Sequence, residues 1–141
     1  MRFHHVGLSV ADLDRSRSWY ADVLGFTEGF AFTIAPAGIR GCFMTDAGRG
    51  GEITVRVELI EREGSASPAV QGTVPDPNRA LLTRGYGHFA MATADLDADF
   101  ARLVAAGATA VWEPRPSPEP GVRMAFVADA DGNLIELVES G

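Results

Sequence analysis

With 141 residues, 46% of them hydrophobic, the chain is long enough to bury a core as one compact domain or two small fused modules. Twelve basic against 19 acidic residues give a net charge of -7, spread along the chain, so nucleic acid is not an expected partner. No apolar run approaches the roughly 20 residues of a membrane span, and Met1-Arg2-Phe3-His4-His5 lacks the layout of a signal peptide, so no membrane partner and a cytoplasmic location are expected.

In chain order, alternation predicts a first strand over about His4 to Val10. Asp12 or Asp14 then caps a helix that runs to Leu24, with Leu13, Trp19, Tyr20 and Val23 as apolar contacts and Gly25 as its stop. Strands follow over Glu28 to Ile34, Ile39 to Thr45 and Ile53 to Ile60. The stretch Glu63 to Gly85, rich in Pro, Ser, Gly and Asn, reads as a surface linker with a helical turn near Arg79 to Thr83. Beyond it, Asp95 or Asp97 caps a second helix closed by Gly107, and strands are predicted over Ala108 to Trp112, Val122 to Val127 and Leu134 to Val138. The fold class is α+β: residues 1–62 and 86–141 each form a βαβββ module, joined by the 63–85 linker.

The two modules are copies of one another. A shift of 83 positions brings His5 onto His88, Ala11-Asp12-Leu13-Asp14 onto Ala94-Asp95-Leu96-Asp97, and Gly38, Arg40, Phe43 and Asp46 onto Gly121, Arg123, Phe126 and Asp129. After Asp46 the first copy carries a longer turn through Ala47-Gly48-Arg49-Gly50-Gly51, and the offset falls to 78, which aligns Glu58-Leu59-Ile60-Glu61 with Glu136-Leu137-Val138-Glu139.

All twelve cations are arginine, so no lysine is present for Schiff-base chemistry, and the single cysteine, Cys42, excludes a disulfide and a thiolate zinc cluster. Its apolar setting marks it as buried. Catalysis therefore falls to carboxylates, histidines or a metal. His5, Glu58, His88 and Glu136 occupy first and last strands in both copies. Burying an unpaired carboxylate costs several kcal/mol, so a repeat that keeps imidazole and carboxylate together in apolar strands points to one divalent ion, Ni, Co, Zn or Fe. His4 is matched by Gly87, and strand alternation turns it away from the site. The repeated pair Arg40 and Arg123 is a candidate clamp for an anionic substrate group, Phe43 with Phe30 and Phe32 a candidate apolar wall, and the paired aspartates are caps and turns.

Three stretches carry a family resemblance: His5-Val6-Gly7-Leu8-Ser9-Val10-Ala11-Asp12-Leu13 with Trp19-Tyr20 and Leu24-Gly25-Phe26, then Gly85-Tyr86-Gly87-His88, then Asp129-Ala130-Asp131-Gly132-Asn133-Leu134-Ile135-Glu136-Leu137. They resemble the paired βαβββ modules of the vicinal oxygen chelate superfamily, and Glu at position 58 places the ligand pattern nearest its glyoxalase I branch. The resemblance implies curved mixed sheets around a metal-binding cleft and a homodimer. It also implies a small-molecule substrate whose vicinal oxygens chelate the ion, and a 1,2-proton shift in which Glu58 or Glu136 removes and returns the proton. An iron-dependent dioxygenase or an epimerase on the same four positions is the alternative within enzymes. A noncatalytic drug-sequestering protein of the bleomycin-resistance kind is the alternative outside them.

Overall fold

The computed structural model describes residues 1, 3–46, 53, 55–66, 75–82 and 84–141. The chain divides into two compact units, Met1–Gln71 and Gly72–Gly141. The predicted loop at 47–51 and the end of the predicted turn at Thr83 lie outside the described residues.

The first unit runs β1 (Val6–Val10), α1 (Leu13–Leu24), β2 (Thr27–Ile34), β3 (Ile39–Thr45) and β4 (Arg56–Arg62). Its open sheet has the order β1-β4-β3-β2, with β1 parallel to β4 and the other pairs antiparallel. The first strand starts at Val6, so His4 and His5 precede it, and the last starts at Arg56 where alternation placed it at Ile53. Helix α1 follows its apolar spacing: Leu13, Ser16, Tyr20 and Val23 are buried on one face. They pack on the sheet face that carries Val10, Cys42, Met44, Val57 and Leu59, all 2% exposed or less.

The cap residues follow directly from side-chain reach. Asp12 accepts from Arg15 N at 3.0 Å, and Gly25, at φ 70°, closes the helix in the left-handed conformation that costs glycine little.

The second unit holds α2 (Pro77–Ala80), β5 (Phe89–Ala92), α3 (Leu96–Ala105), β6 (Thr109–Pro116), β7 (Val122–Ala128) and β8 (Leu134–Ser140). Its sheet order, β5-β8-β7-β6, reproduces the first unit, again with one parallel and two antiparallel pairs. Asp95 caps α3 by accepting from Ala98 N, and Leu96 and Leu103 bury against β7, β6 and β8. Strand β6 continues past Trp112 to Pro116 because it is an edge: register shifts on both sides of Trp112 accommodate prolines that a central ladder would reject.

Within the predicted linker, Asp76 caps α2 and Pro77 is buried, so this part of the segment packs instead of only crossing the surface. Asp129, 4% exposed, gathers the β7–β8 turn by accepting from Asp131 N, Asn133 N and Asn133 Nδ2. Asp46, the matching residue of the first unit, accepts from Val55 N at 2.7 Å. No helix among the described residues is long and apolar enough to cross a membrane.

Candidate metal centre

Strand parity decides which side chains share a face. On β4, Val57, Leu59 and Glu61 point toward α1, and Arg56, Glu58 and Ile60 point to the opposite face. The antiparallel register sets Phe43 opposite Glu58, and the parallel register sets Gly7 opposite Glu58 on the other side. Gly7 leaves the carboxylate room: a Cβ built there would stand 3.4 Å from Glu58 Oε2.

His5 reaches this face from just before β1, and its Nε2 lies 3.3 Å from Glu58 Oε2. Its ring stands edge-on to Phe43, centroids 5.3 Å apart and planes at 83°. The second unit repeats the arrangement: His88 Nε2 is 3.1 Å from Glu136 Oε2, and the His88 ring stands edge-on to Phe126 at 5.1 Å and 88°. Both carboxylates are mostly covered, with side chains 19% and 18% exposed. The structure thus brings together the predicted residues in pairs, His5 with Glu58 and His88 with Glu136.

These pairs fit a metal. Donors about 2.0–2.2 Å from a common ion lie roughly 2.9–3.4 Å apart, between octahedral and tetrahedral angles, and the observed separations of 3.3 and 3.1 Å fall in that interval. The 3.1 Å separation also lies within the range of about 2.7–3.2 Å of an ordinary N–H···O hydrogen bond, so the His88 imidazole can bond its carboxylate directly. Among the described residues of either unit, no third His, Cys, Asp or Glu joins a pair in a group able to hold an ion. Each pair supplies two donors.

Two expectations about neighbouring residues change, and one residue is added. Arg40 and Arg123 lie on the helix side of their sheets, on the face away from Glu58 and Glu136. Arg40 donates to Glu61 at 2.9 Å and to Asp14 at 3.4 Å, and Arg123 donates to Asp97 at 2.7 Å and to Glu139 at 3.1 Å. Glu61 and Glu139 accept in turn from Leu13 N and Leu96 N, the first backbone amides of the helices. These arginines therefore tie helix N-termini to the sheet, and their place on the opposite face corrects the substrate clamp assigned to them. The Arg40 hydrogen bond, then the Leu13 amide, holds the Glu61 carboxyl below its usual value; Arg123 does the same to Asp97. Asp14 and Asp97 are the partners in these bridges, not the caps.

His4 is the second change. Because it precedes β1, alternation does not apply to it, and its Nδ1 lies 2.7 Å from His5 Nδ1 while its Nε2 receives Arg56 Nη1 at 3.1 Å. Arg56 is the addition, a residue the sequence reading passed over. It stands two positions before Glu58, hence on the same face, and its guanidinium lies 4.0 Å above the Phe43 ring. The spacing of two along a strand was the available signal. Phe43 joins Phe32 at 6.2 Å, and Phe32 stacks with Phe30, so the three rings form one aromatic surface on the first unit. Cys42 is fully buried, and burial pushes its thiol up, away from reactive thiolate.

The sequence profile of the Glyoxalase/Bleomycin resistance protein/Dioxygenase superfamily matches residues 2–137. The chain belongs to this superfamily. Among its superfamily relatives, a lactoylglutathione lyase of Arabidopsis thaliana is 33% identical over 99% of this chain, which spans 44% of that protein's length. A probable lactoylglutathione lyase of Synechocystis is 28% identical, covering 96% of this chain and 93% of its own length. The crystal structure of glyoxalase I from Zea mays matches with a TM-score of 0.71 and 25% identity, over 95% of this chain and 43% of that one. A glyoxylase/bleomycin resistance protein/dioxygenase domain from Frankia shares the fold over 100% of this chain and 98% of its own, at a TM-score of 0.71.

Proposed function

We propose that the chain is a divalent-metal-dependent lyase or isomerase of the glyoxalase I kind, acting on a small molecule with vicinal oxygens. The observation that carries this reading is the twofold His–Glu contact, 3.3 Å between His5 and Glu58 and 3.1 Å between His88 and Glu136. A merely structural repeat has no need for an imidazole and a carboxylate at donor spacing in both copies. The names of the relatives, lactoylglutathione lyases, support the same reaction class.

In this reading His5, Glu58, His88 and Glu136 hold one Ni, Co, Zn or Fe ion. When bound, the ion supplies Lewis-acid polarisation of two neighbouring substrate oxygens. Glu58 or Glu136 takes a proton from one substrate carbon and returns it to the next, as general base and then acid. Partial burial of these carboxylates excludes competing water, and Phe43 offers the apolar contact beside Glu58. A homodimer and a cytoplasmic location complete the proposal.

Purification without chelator followed by elemental analysis tests it, together with assay of methylglyoxal combined with several thiols. One divalent ion per chain and isomerisation that falls at least about a hundredfold in Glu58→Gln or Glu136→Gln are expected. A metal-free protein whose Glu58→Gln and His88→Ala variants bind ligand as well as the parent would overturn it. Iron with oxygen consumption would transfer the site to dioxygenase chemistry.

A further inference from the structure

Arg56 differs from the other half-buried arginines. Arg17 meets Asp14 and Glu28, and Arg123 meets Asp97 and Glu139, whereas Arg56 meets no carboxylate among the described residues. Among the described residues its partners are one histidine nitrogen, His4 Nε2 at 3.1 Å, and the face of Phe43 at 4.0 Å. Its Nε is buried with no acceptor. Placing a permanent cation in a partly desolvated position without a counter-charge is costly, and this happens in a chain with a surplus of seven negative charges. An unsatisfied buried donor of this kind calls for an explanation in ligand or function.

Its location supplies one. The Phe43 ring that carries the guanidinium on its face also carries the His5 ring at its edge. Arg56 and Glu58 point from the same face of β4. The aromatic surface continues from Phe43 through Phe32 to Phe30, which is 67% exposed. A cation, an apolar aromatic strip and the His5–Glu58 pair therefore lie side by side on one sheet face.

We propose that Arg56 is a specificity-determining residue that binds a carboxylate of the substrate, with the apolar body of the same molecule lying on Phe43 and Phe32. The substrate class is then a vicinal-oxygen compound bearing an anionic tail, and neutral analogues are selected against. This inference rests on the proposed metal-dependent activity for its biological meaning, but its binding chemistry stands without it. His4 acts as a positioning residue, fixing the guanidinium over the ring by accepting from Nη1. Arg40, on the opposite face and already paired with Glu61 and Asp14, takes no part.

The test has two arms. Calorimetric titration of the metal-free protein with 3-phenylpropionate and with its neutral isostere 3-phenylpropanamide reads Arg56 without any need for turnover. The parent and Arg40→Gln should prefer the carboxylate on the order of tenfold, the worth of one charge-assisted hydrogen bond. Arg56→Gln should abolish the preference, and Arg56→Lys should keep part of it by retaining charge without the stacked fork. A parent with no preference, or an Arg56→Gln variant that keeps it, overturns the inference.

The second arm compares kcat/KM for methylglyoxal adducts of 3-mercaptopropionate and 2-mercaptoethanol on the metal-loaded protein. Arg56→Gln should raise KM for the first adduct on the order of tenfold more than for the second, and equal effects on both adducts overturn the inference. If the parent turns over neither adduct, the isomerase reading fails while the calorimetric arm still decides the role of Arg56.

Discussion

Glu58 and Glu61 lie three residues apart on β4 and serve opposite faces of the sheet. Glu58 Oε2 stands 3.3 Å from His5 Nε2, while Glu61 Oε2 accepts from Leu13 N at 2.7 Å and from Arg40 Nη2 at 2.9 Å. One carboxylate belongs to the proposed centre and the other to the junction of helix and sheet. Glu61→Gln should therefore lower stability by about 1 kcal/mol, the scale of a lost helix-terminal hydrogen bond, and leave metal content intact. Glu58→Gln should remove metal affinity with a stability change within about 0.5 kcal/mol for the metal-free protein. Urea denaturation alongside elemental analysis checks both, and indistinguishable effects of the two substitutions would contradict the division of faces.

The Arg40 and Arg123 bridges predict how stability depends on pH. Their guanidinium hydrogen bonds hold Glu61 and Asp97 below their usual values in the folded chain. Depressed folded values mean that the unfolded chain binds more protons in acid. The contribution is thus complete above the ordinary carboxylate range, about 4, and is lost as pH falls through the depressed values. An Arg40→Gln, Arg123→Gln double variant should melt lower than the parent at neutral pH. The gap should narrow on acidification and close once both carboxylates are protonated. Thermal melts across that range check the sign; a gap that widens in acid would show that these bridges do not govern the dependence.

Much of this is legible in the sequence. The offset repeat identifies both modules and both His–Glu pairs because residue spacing within a repeated unit carries over to its copy. What the repeat does not encode is which face a residue takes. Arg40 and Glu58 look equally eligible in a string of letters, and the antiparallel register, Arg40 opposite Glu61 and Phe43 opposite Glu58, is needed to separate them. Arg56 escaped for a different reason: it has no counterpart in the second copy, where Leu134 occupies its place, so a search for repeated residues could not select it. Alternation says nothing about where His4 points, because the chain before the start of β1 at Val6 is not strand.

Gly41 provides a packing test on the same face. A Cβ built there would stand 2.4 Å from Phe32 Cζ and 3.0 Å from Leu59 O, because the Phe32 ring crosses directly over this position from β2. The aromatic side chain covers the glycine backbone, so adding a methyl group forces the ring aside. Gly41→Ala should cost about 1–3 kcal/mol, the range for overpacking a filled site. It should also disturb the Phe32–Phe43 contact. Chemical denaturation gives the first quantity, and weaker binding of an aromatic ligand than in the parent gives the second. A Gly41→Ala variant as stable as the parent would show that the ring does not lie over the glycine.

Metal loading tests whether the two pairs act as one set. A ligand that binds only the folded state stabilises it by about 2.7 kcal/mol at a hundredfold excess over its dissociation constant, so adding Ni²⁺ to chelator-treated protein should raise the melting temperature. If one ion takes His5, Glu58, His88 and Glu136 together, saturation occurs at one ion per chain. His5→Ala and His88→Ala should then each remove most of the thermal shift, and the double variant should add little, since either loss already dismantles the shared site. Two independent pairs behave differently: the stoichiometry is two, each single variant retains about half of the response, and the losses add. Calorimetric stoichiometry together with the melting shifts of the three variants distinguishes these outcomes, and a count of two would break the four-donor proposal even if each His–Glu pair proved to bind metal.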